Sequence, residues 1–270
     1  SKIEGEPMID SAGNNHKRAQ DPRIISLVPS LTELAFNLGL ENHLVGRTAF
    51  CVHPADQIKN IPSVGGTKQV NWEKIDAAAP THALVNIDEN PKELAEALEA
   101  RGIEVVVTHP ISPKDNIELF QLMGAVFDRE KESEALVDAF QKQWEALSAL
   151  KPSLPERKVL YLIWNDPLMT VSQDTYISQM LAAINWKTLG HHDDARYPEV
   201  PLNGSTLEEA DFILFATEPF HFQPKHLKAF SEQYPGLKAK LEIVDGEMLS
   251  WYGSRSVLGL SYLKQLAKTP

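Results

Sequence analysis

The chain has 270 residues, is 43% hydrophobic and 23% charged, and carries one cysteine and a formal net charge of −11. That size gives one large or two modest domains with enough apolar residues for a real core, which excludes wholesale disorder. A single cysteine excludes a disulfide framework or a thiolate zinc site built from one chain, the acidity argues against nucleic-acid or anionic-membrane partners, and no apolar run approaches the ~18 residues of a membrane span.

Residues 1–22 have no periodic apolar pattern and read as a disordered N-terminal arm or tag. The chain opens on Ser1, which suggests a processed or engineered terminus, and a native start at Met8 would leave no export signal before Arg23. The apolar run 24–28 suits a strand buried on both faces, ended by Pro29. Ser30 and Glu33 read as a capping box opening a helix that stops near Gly39. Val45 starts a short strand, and Asn71 caps a helix through Ala79 that leads into a strand at 83–85. Asn90, Pro91 and Glu93 supply an N-cap, a proline at the first helical position and a reciprocal glutamate. That helix ends at Gly102, before a strand at 105–107. Strands alternating with helices predict a parallel sheet flanked by helices.

The spacing changes after Ser112. One helix reaches Met123, and a second over 128–150 shows an apolar stripe at Leu136, Phe140, Trp144, Leu147 and Leu150. At 1.5 Å per residue it would span roughly 33 Å, and Pro152 and Pro155 stop it. A strand at 159–163, a helix at 175–184, a strand at 212–215 and a closing helix over 256–268 follow. The expectation is an α/β fold of two lobes, 23–125 and 157–270, each with a central, mostly parallel sheet, joined by a single long helix within 126–156. Segments 72–85 and 207–215 echo one another, each running a helix into a buried strand.

Enzyme signatures are missing: there is no Gly-x-Ser-x-Gly elbow, His-Glu-x-x-His or phosphate-binding Gly-x-x-x-x-Gly-Lys-Ser/Thr, so no catalytic residues are assigned. Cys51 beside His53 lacks an orienting partner and reads as inert packing. His191, His192, Asp193 and Asp194 read as a solvated loop rather than a metal site, and His53, His82, His109 and His221 form no evident triad. Gly65-Gly66 reads as a tight turn at a cleft mouth, and Asn203-Gly204-Ser205, though it fits a glycosylation acceptor, as a turn. The aromatics carry more. Trp164 follows the strand at 159–163, Trp251 and Tyr252 lie between Val244 and the last helix, and Phe50 follows the strand near Val45. Ligands of open parallel sheets lie outside the carboxyl ends of the strands, so these residues suit an aromatic-walled cleft for a flat or bulky ligand.

The segment from Arg23 to Leu34, with its Pro29-Ser30-x-Thr32-Glu33 core, resembles the opening of the helical-backbone metal receptor group. Val45-Gly46-Arg47-Thr48, Ile61-Pro62-Ser63-Val64-Gly65-Gly66, Glu73-Lys74-Ile75 and Gly102-Ile103-Glu104-Val105 extend the likeness, which covers about residues 22–268 and is greatest to the cobalamin-binding type. These are substrate-binding proteins of ABC importers for cobalamin, haem and ferric siderophores. The resemblance implies a non-enzyme with two lobes that close little around a rigid helix. It implies no intrinsic cofactor, a bound cobalamin or other corrinoid, then haem or a ferric siderophore, and a monomer that meets an ABC permease in the periplasm or elsewhere outside the cytoplasm. It places ligand contacts at Phe50, Trp251, Tyr252 and Arg255, beside Trp164 from the residue reading, and Lys68, Arg47 and Arg255 are available as the basic residues that siderophore binders of the group use. Permease docking falls on Glu73 and on Glu208 or Glu209. Here Cys51-Val52-His53-Pro54 replaces a tyrosine-containing loop, and the Gly65-Gly66 turn lacks the nearby tryptophan of the cobalamin binder. The alternatives are a manganese or zinc receptor, or a cytosolic chelate handler or enzyme that keeps the fold; a native start at Met8 would favour the cytosol.

Overall fold

The computed structural model describes residues 8–190, 194–200 and 204–270. The chain divides into two compact units. The first holds residues through Pro110, with Lys114–Phe140 and Tyr252–Arg255; the second holds Ile111–Pro113, Gln141–Trp251 and Ser256–Pro270.

Unit 1 opens with a hairpin, β1 (Met8–Ile9) paired antiparallel to β2 (Asn15–His16). From Met8 onward, then, the expected arm is ordered. Polar ties hold it, which is why no apolar periodicity announced it: the Asp10 carboxylate accepts from the Ala12 and Asn14 amides at 2.9 and 3.0 Å. The main sheet follows as β3 (Ile24–Ser26), β4 (Leu44–Arg47), β5 (His82–Asn86) and β6 (Glu104–Thr108), all parallel, in the order β4-β3-β5-β6. Every residue of β3 and β5 is buried, as strands covered on both faces require. The connections carry α1 (Pro29–Asn37), α2 (Ala55–Ile58), α3 (Trp72–Ala78) and α4 (Lys92–Ala100), and α5 (Asp115–Val126) follows β6.

Two capping expectations change. Pro29 is the first residue of α1, and Glu33 does not reach back to cap it but binds Arg255. Asn90 caps no helix either: its amide donates to the Leu27 carbonyl at 3.1 Å and the Thr67 carbonyl at 2.8 Å, tying three segments together. Asn71 does cap α3, accepting from the Lys74 amide at 3.2 Å.

The long helix is α6 (Glu130–Leu150), and the division between units falls inside it, at Phe140 and Gln141. Phe140 and Leu147 from its predicted stripe are fully buried. Unit 2 contains β7 (Arg157–Leu162), the short pair β8 (Trp164–Asn165) and β9 (Leu168–Met169), β10 (Trp186–Thr188), β11 (Phe212–Ala216) and β12 (Lys240–Val244). Its helices are α7 (Tyr176–Ala182), α8 (Gly204–Glu209), α9 (Pro224–Gln233), α10 (Gly246–Ser250) and α11 (Ser256–Leu266). The sheet runs β10-β7-β11-β12, again all parallel. Numbered within each unit, both sheets have the order 2-1-3-4. The sequence echo therefore has a topological counterpart.

Candidate functional site

In a parallel sheet of order 2-1-3-4 the winding reverses between the first and third strands, and the crevice outside their carboxyl ends is the natural ligand site. In unit 1 this point is flanked by β3 and β5, and in unit 2 by β7 and β11.

At this end of unit 1, Phe50 follows β4 and is 64% exposed, an unusual position for a large apolar ring. Its loop is well tied. The Arg47 guanidinium donates to the Ile61 carbonyl at 2.9 Å, and the Ala49 amide donates to the Gly65 carbonyl at 2.8 Å. Gly65 has φ +124, and a Cβ there would fall 2.7 Å from the Val70 Cα, so the turn demands glycine. A Cβ on Gly66 would lie 3.4 Å from the Phe50 ring, so this residue leaves the ring its place. Cys51 is buried, its Sγ 3.2 Å from the Thr32 hydroxyl and 3.3 Å from that of Thr48, a packed thiol as expected.

Beyond β5, Glu89 accepts a short hydrogen bond from the Tyr252 hydroxyl. Burial pushes the Glu89 carboxyl above its ordinary range, against the lowering effects of Tyr252 and Lys68. Burial also holds the Tyr252 phenol well above the usual tyrosine value, reinforced by the Glu89 charge. Lys68 donates to the backbone carbonyls of Glu89 at 2.6 Å and Asp88 at 3.4 Å. The segment after Tyr252 is equally tied: the Gly253 amide donates to Asn116 at 2.6 Å, and Arg255 grips Glu33 with two nitrogens at 2.9 and 2.6 Å.

Unit 2 presents a different surface. Trp164, 41% exposed, opens the β8–β9 pair beyond β7 and meets Phe220 edge-on at 5.6 Å. Phe220 in turn packs against Phe222 at 4.6 Å and the His226 ring at 5.1 Å. Just past β11, Glu218 accepts from the Trp251 indole at 2.6 Å and the Ser250 hydroxyl at 3.2 Å, both on one oxygen. Burial raises its pKa, the indole hydrogen bond opposes this, and the Glu247 and Asp245 charges add to the rise. A Cβ on Gly246 would come within 2.9 Å of Glu218, so α10 must begin with glycine there.

Of the sequence-predicted residues, Phe50 and Trp164 are exposed at strand ends, whereas Trp251 and Tyr252 are 8% and 7% exposed and hydrogen-bonded to carboxylates. Sequence reasoning missed Glu89, Glu218 and Phe220. The signal was present: each glutamate stands two or three residues after the third strand of its half, where the echoed segments run out. Glu73 is exposed in the first turn of α3. Glu208 lies near the end of α8 rather than at its start, because that helix begins at Gly204. His191, His192 and Asp193 of the acidic loop, and Asn203 of the Asn203-Gly204-Ser205 turn, lie outside the described residues. Among the described residues, no cluster of three or more His, Cys, Asp or Glu side chains is arranged to hold a metal ion, and no helix is long and apolar enough to cross a membrane.

The sequence pattern of the family described as periplasmic binding protein matches residues 24–203. A vitamin B12-binding protein of Photorhabdus laumondii is 22% identical over 243 residues, 90% of this chain and 86% of its own length. The crystal structure of the periplasmic vitamin B12-binding protein of Vibrio cholerae superposes with a TM-score of 0.76 at 18% identity, over 92% of this chain and 98% of that one. The periplasmic haem-binding protein of the same organism gives 0.77 at 21% identity, over 93% and 100%.

Proposed function

Because the chain belongs to the periplasmic binding protein family, we propose that it serves an ABC importer by capturing a metal chelate outside the cytoplasm, with cobalamin or another corrinoid first and haem or a ferric siderophore next. The observation that carries this reading is the exposure of Phe50 and Trp164 at the carboxyl ends of the two sheets, on loops that are otherwise firmly tied. Rings held in place offer a large flat contact without an ordering cost on binding. In this reading Phe50 in unit 1 and Trp164 in unit 2 are the rings each unit offers to a ligand. Trp251 and Tyr252 are each held on a carboxylate of their own unit, and Lys68 and Arg255 tie the segments around Glu89 and Glu33. Relatives named as vitamin B12-binding proteins support the corrinoid choice.

Titration with cyanocobalamin tests it through tryptophan fluorescence, since an absorbing ligand near Trp164 quenches strongly. The absence of both quenching and heat at tens of micromolar would remove corrinoids from consideration. For the permease, exposed Glu73 and Glu208 are the docking acids we propose, each facing an arginine of the partner. A charge at an interface rim mainly speeds association and fixes register. Glu73→Arg should therefore abolish permease binding while leaving ligand affinity and melting temperature unchanged; a fall in ligand affinity would assign Glu73 to the ligand site instead.

A further inference from the structure

The rings of unit 2 form a chain that runs from its core to its exposed tryptophan. Phe215 and Phe222 are buried and meet edge-on at 5.2 Å. Phe222 meets Phe220 at 4.6 Å, and Phe220 meets Trp164 at 5.6 Å. The loop that carries Phe220 and Phe222 joins β11 to α9, and it is pinned at two points. Midway, the Phe220 amide donates to the carbonyl of Ile163, the residue before Trp164, at 3.2 Å. At its end the capping box of α9 closes it: the Gln223 side chain accepts from the His226 amide, and Nδ1 of His226 accepts from the Gln223 amide at 2.9 Å. The imidazole so placed meets the ring of Phe220 at 5.1 Å and 76°, and that of Phe222 at 5.6 Å and 89°. One side chain therefore closes the loop and packs beside the ring that meets Trp164.

From this geometry we propose that His226 is a positioning residue for ligand capture: its neutral imidazole holds Phe220 against Trp164, and a proton on Nδ1 releases both, so that unit 2 grips a ligand less well in acid. The proposal deepens the reading above and rests on it, since it takes Trp164 as a ring that meets the ligand. A backbone amide can only donate, so Nδ1 keeps its lone pair and the ring's one hydrogen sits on Nε2. Protonation would set two N–H groups against each other across 2.9 Å. It would also put a cation in the first turn of α9, at the positive end of the helix dipole. The imidazolium then gains by turning out to water, which takes away a ring beside Phe220 and the acceptor that fixes Gln223. A ring held in place binds without an ordering cost, and that cost returns once its support is loose. The charged groups around His226 give its cation no partner. On the same loop, Glu218 is engaged by Trp251 and Ser250, and Nδ1 of His221 lies 3.3 Å from the Thr217 carbonyl. Helix α9 adds Lys225 and Lys228, both exposed and both cationic, and the turn between β8 and β9 adds exposed Asp166. Among the described residues no carboxylate pairs with His226.

The test measures the affinity of the full chain for cyanocobalamin at about pH 7.5 and about pH 5, a range across which histidine changes charge. Cyanocobalamin keeps its own charge throughout, so the ligand contributes no step. Wild-type protein should bind about tenfold more weakly at the lower pH, the factor expected if the loosened rings are in place about a tenth of the time. His226→Gln keeps an acceptor at the capping position without titrating, so its two affinities should agree within about twofold. His226→Ala supplies no acceptor and should bind about tenfold more weakly than wild type at the higher pH, with no further loss in acid. A pH dependence that persists in His226→Gln belongs to His221 or Glu218 and overturns the proposal, as does equal wild-type affinity at both pH values; either result leaves chelate capture standing. Wild-type protein that binds cyanocobalamin at neither pH overturns the ligand reading and the proposal with it. Exchange of the Gln223 amide needs no substitution, so it decides the matter even if a variant fails to fold. Corrected for intrinsic rate, that exchange should quicken about tenfold in acid as the cap opens; equal protection at both pH values would show that the imidazole is not released, and would sink the proposal.

Discussion

The two units share one strand order and use different adhesives. Unit 1 is tied by charge: Arg255 on Glu33, His16 between Asp10 and Glu104, Arg18 on Asp128 and Glu130. Unit 2 is tied by rings: Trp186 stacks on Phe212 at 4.8 Å and 13°, and Phe215 meets Phe222 and Phe230 edge-on at 5.2 and 5.4 Å. Both units bury an apolar core; unit 1 adds directional pairs, which respond to pH and salt, and unit 2 adds stacked and edge-on rings, which do not. The strand ends of each unit show the same contrast, with Tyr252, Lys68 and Glu89 in unit 1 and Trp164 and Phe220 in unit 2.

The comparison breaks first at Trp186. The ring is 2% exposed, and its removal leaves a large void against Phe212. Trp186→Ala should cost about 3–5 kcal/mol in denaturant unfolding, with little dependence on salt. Hydrogen exchange should place the loss in unit 2 amides. A loss below about 1 kcal/mol would mean that ring packing is not what closes this unit.

Arg255 is the corresponding test of unit 1. Its side chain is 14% exposed and that of Glu33 10%, so Arg255→Ala strands a mostly buried carboxylate. The expected cost is about 3 kcal/mol, and Arg255→Lys should recover less than half of it, because an ammonium cannot grip two oxygens in one plane. Thermal melts of both variants check this; a lysine variant as stable as wild type would reduce the pair to simple charge attraction.

Arg255 also shows where sequence reading stops. Both residues of the pair were visible, Arg255 as a ligand contact and Glu33 as a helix cap, but 222 positions separate them and no periodicity joins such partners. The alternation of buried strands and helices was legible because burial on both faces forces continuous apolar runs such as 159–163 and 212–215. The hairpin at 8–16 was not, since Asp10 and His16 do there what apolar residues usually do. At the site, the exposed rings Phe50 and Trp164 were readable from their place after a strand. Glu89 and Glu218 were passed over although each follows the third strand of its half, because an isolated glutamate in a loop carries no pattern of its own and its hydrogen bond to an aromatic donor shows only in the structure.

Phe50 separates binding from folding. At 64% exposure its truncation should leave stability within about 0.5 kcal/mol, yet weaken cyanocobalamin by about 1–3 kcal/mol if the ring is a contact surface. Trp164→Ala should behave alike from the other unit. Calorimetric titration alongside melting curves decides between the roles; a Phe50→Ala variant with lowered melting temperature and unaltered affinity would make the ring part of the fold.

The smallest effect concerns the hairpin and depends on pH. Both ring nitrogens of His16 face carboxylate oxygens, Nε2 to Asp10 at 2.8 Å and Nδ1 to Glu104 at 2.7 Å, so both must donate and the ring must be protonated. Burial alone would lower the His16 pKa, but the hydrogen bonds and charges of Asp10 and Glu104 overcome it and raise the value. Asp10 moves the other way: burial would raise it, yet bonds from His16, Val107, Asn14 and Ala12 hold it low. His82, 3.5 Å from the same Glu104 oxygen, is lowered by burial against the pull of that carboxylate. The signs then follow. The His16 contribution is complete below the ordinary histidine pKa and fades as pH rises through the raised value. The Asp10 contribution is complete above the ordinary aspartate pKa and is lost as pH falls through the lowered one. His82 works against stability in acid, because the unfolded chain takes up a proton that the folded one resists. The hairpin should accordingly loosen by about 1 kcal/mol on the alkaline side as one hydrogen bond is lost. The readout is exchange of the Ser11 and Val107 amides, which bind the Val107 carbonyl and the Asp10 carboxylate, corrected for intrinsic rate and compared with Leu214 in unit 2. His16→Gln should flatten the pH dependence. Equal protection of Ser11 at mildly acidic and alkaline pH in the wild-type protein would show that the hairpin is held by its backbone bonds and not by a protonated histidine.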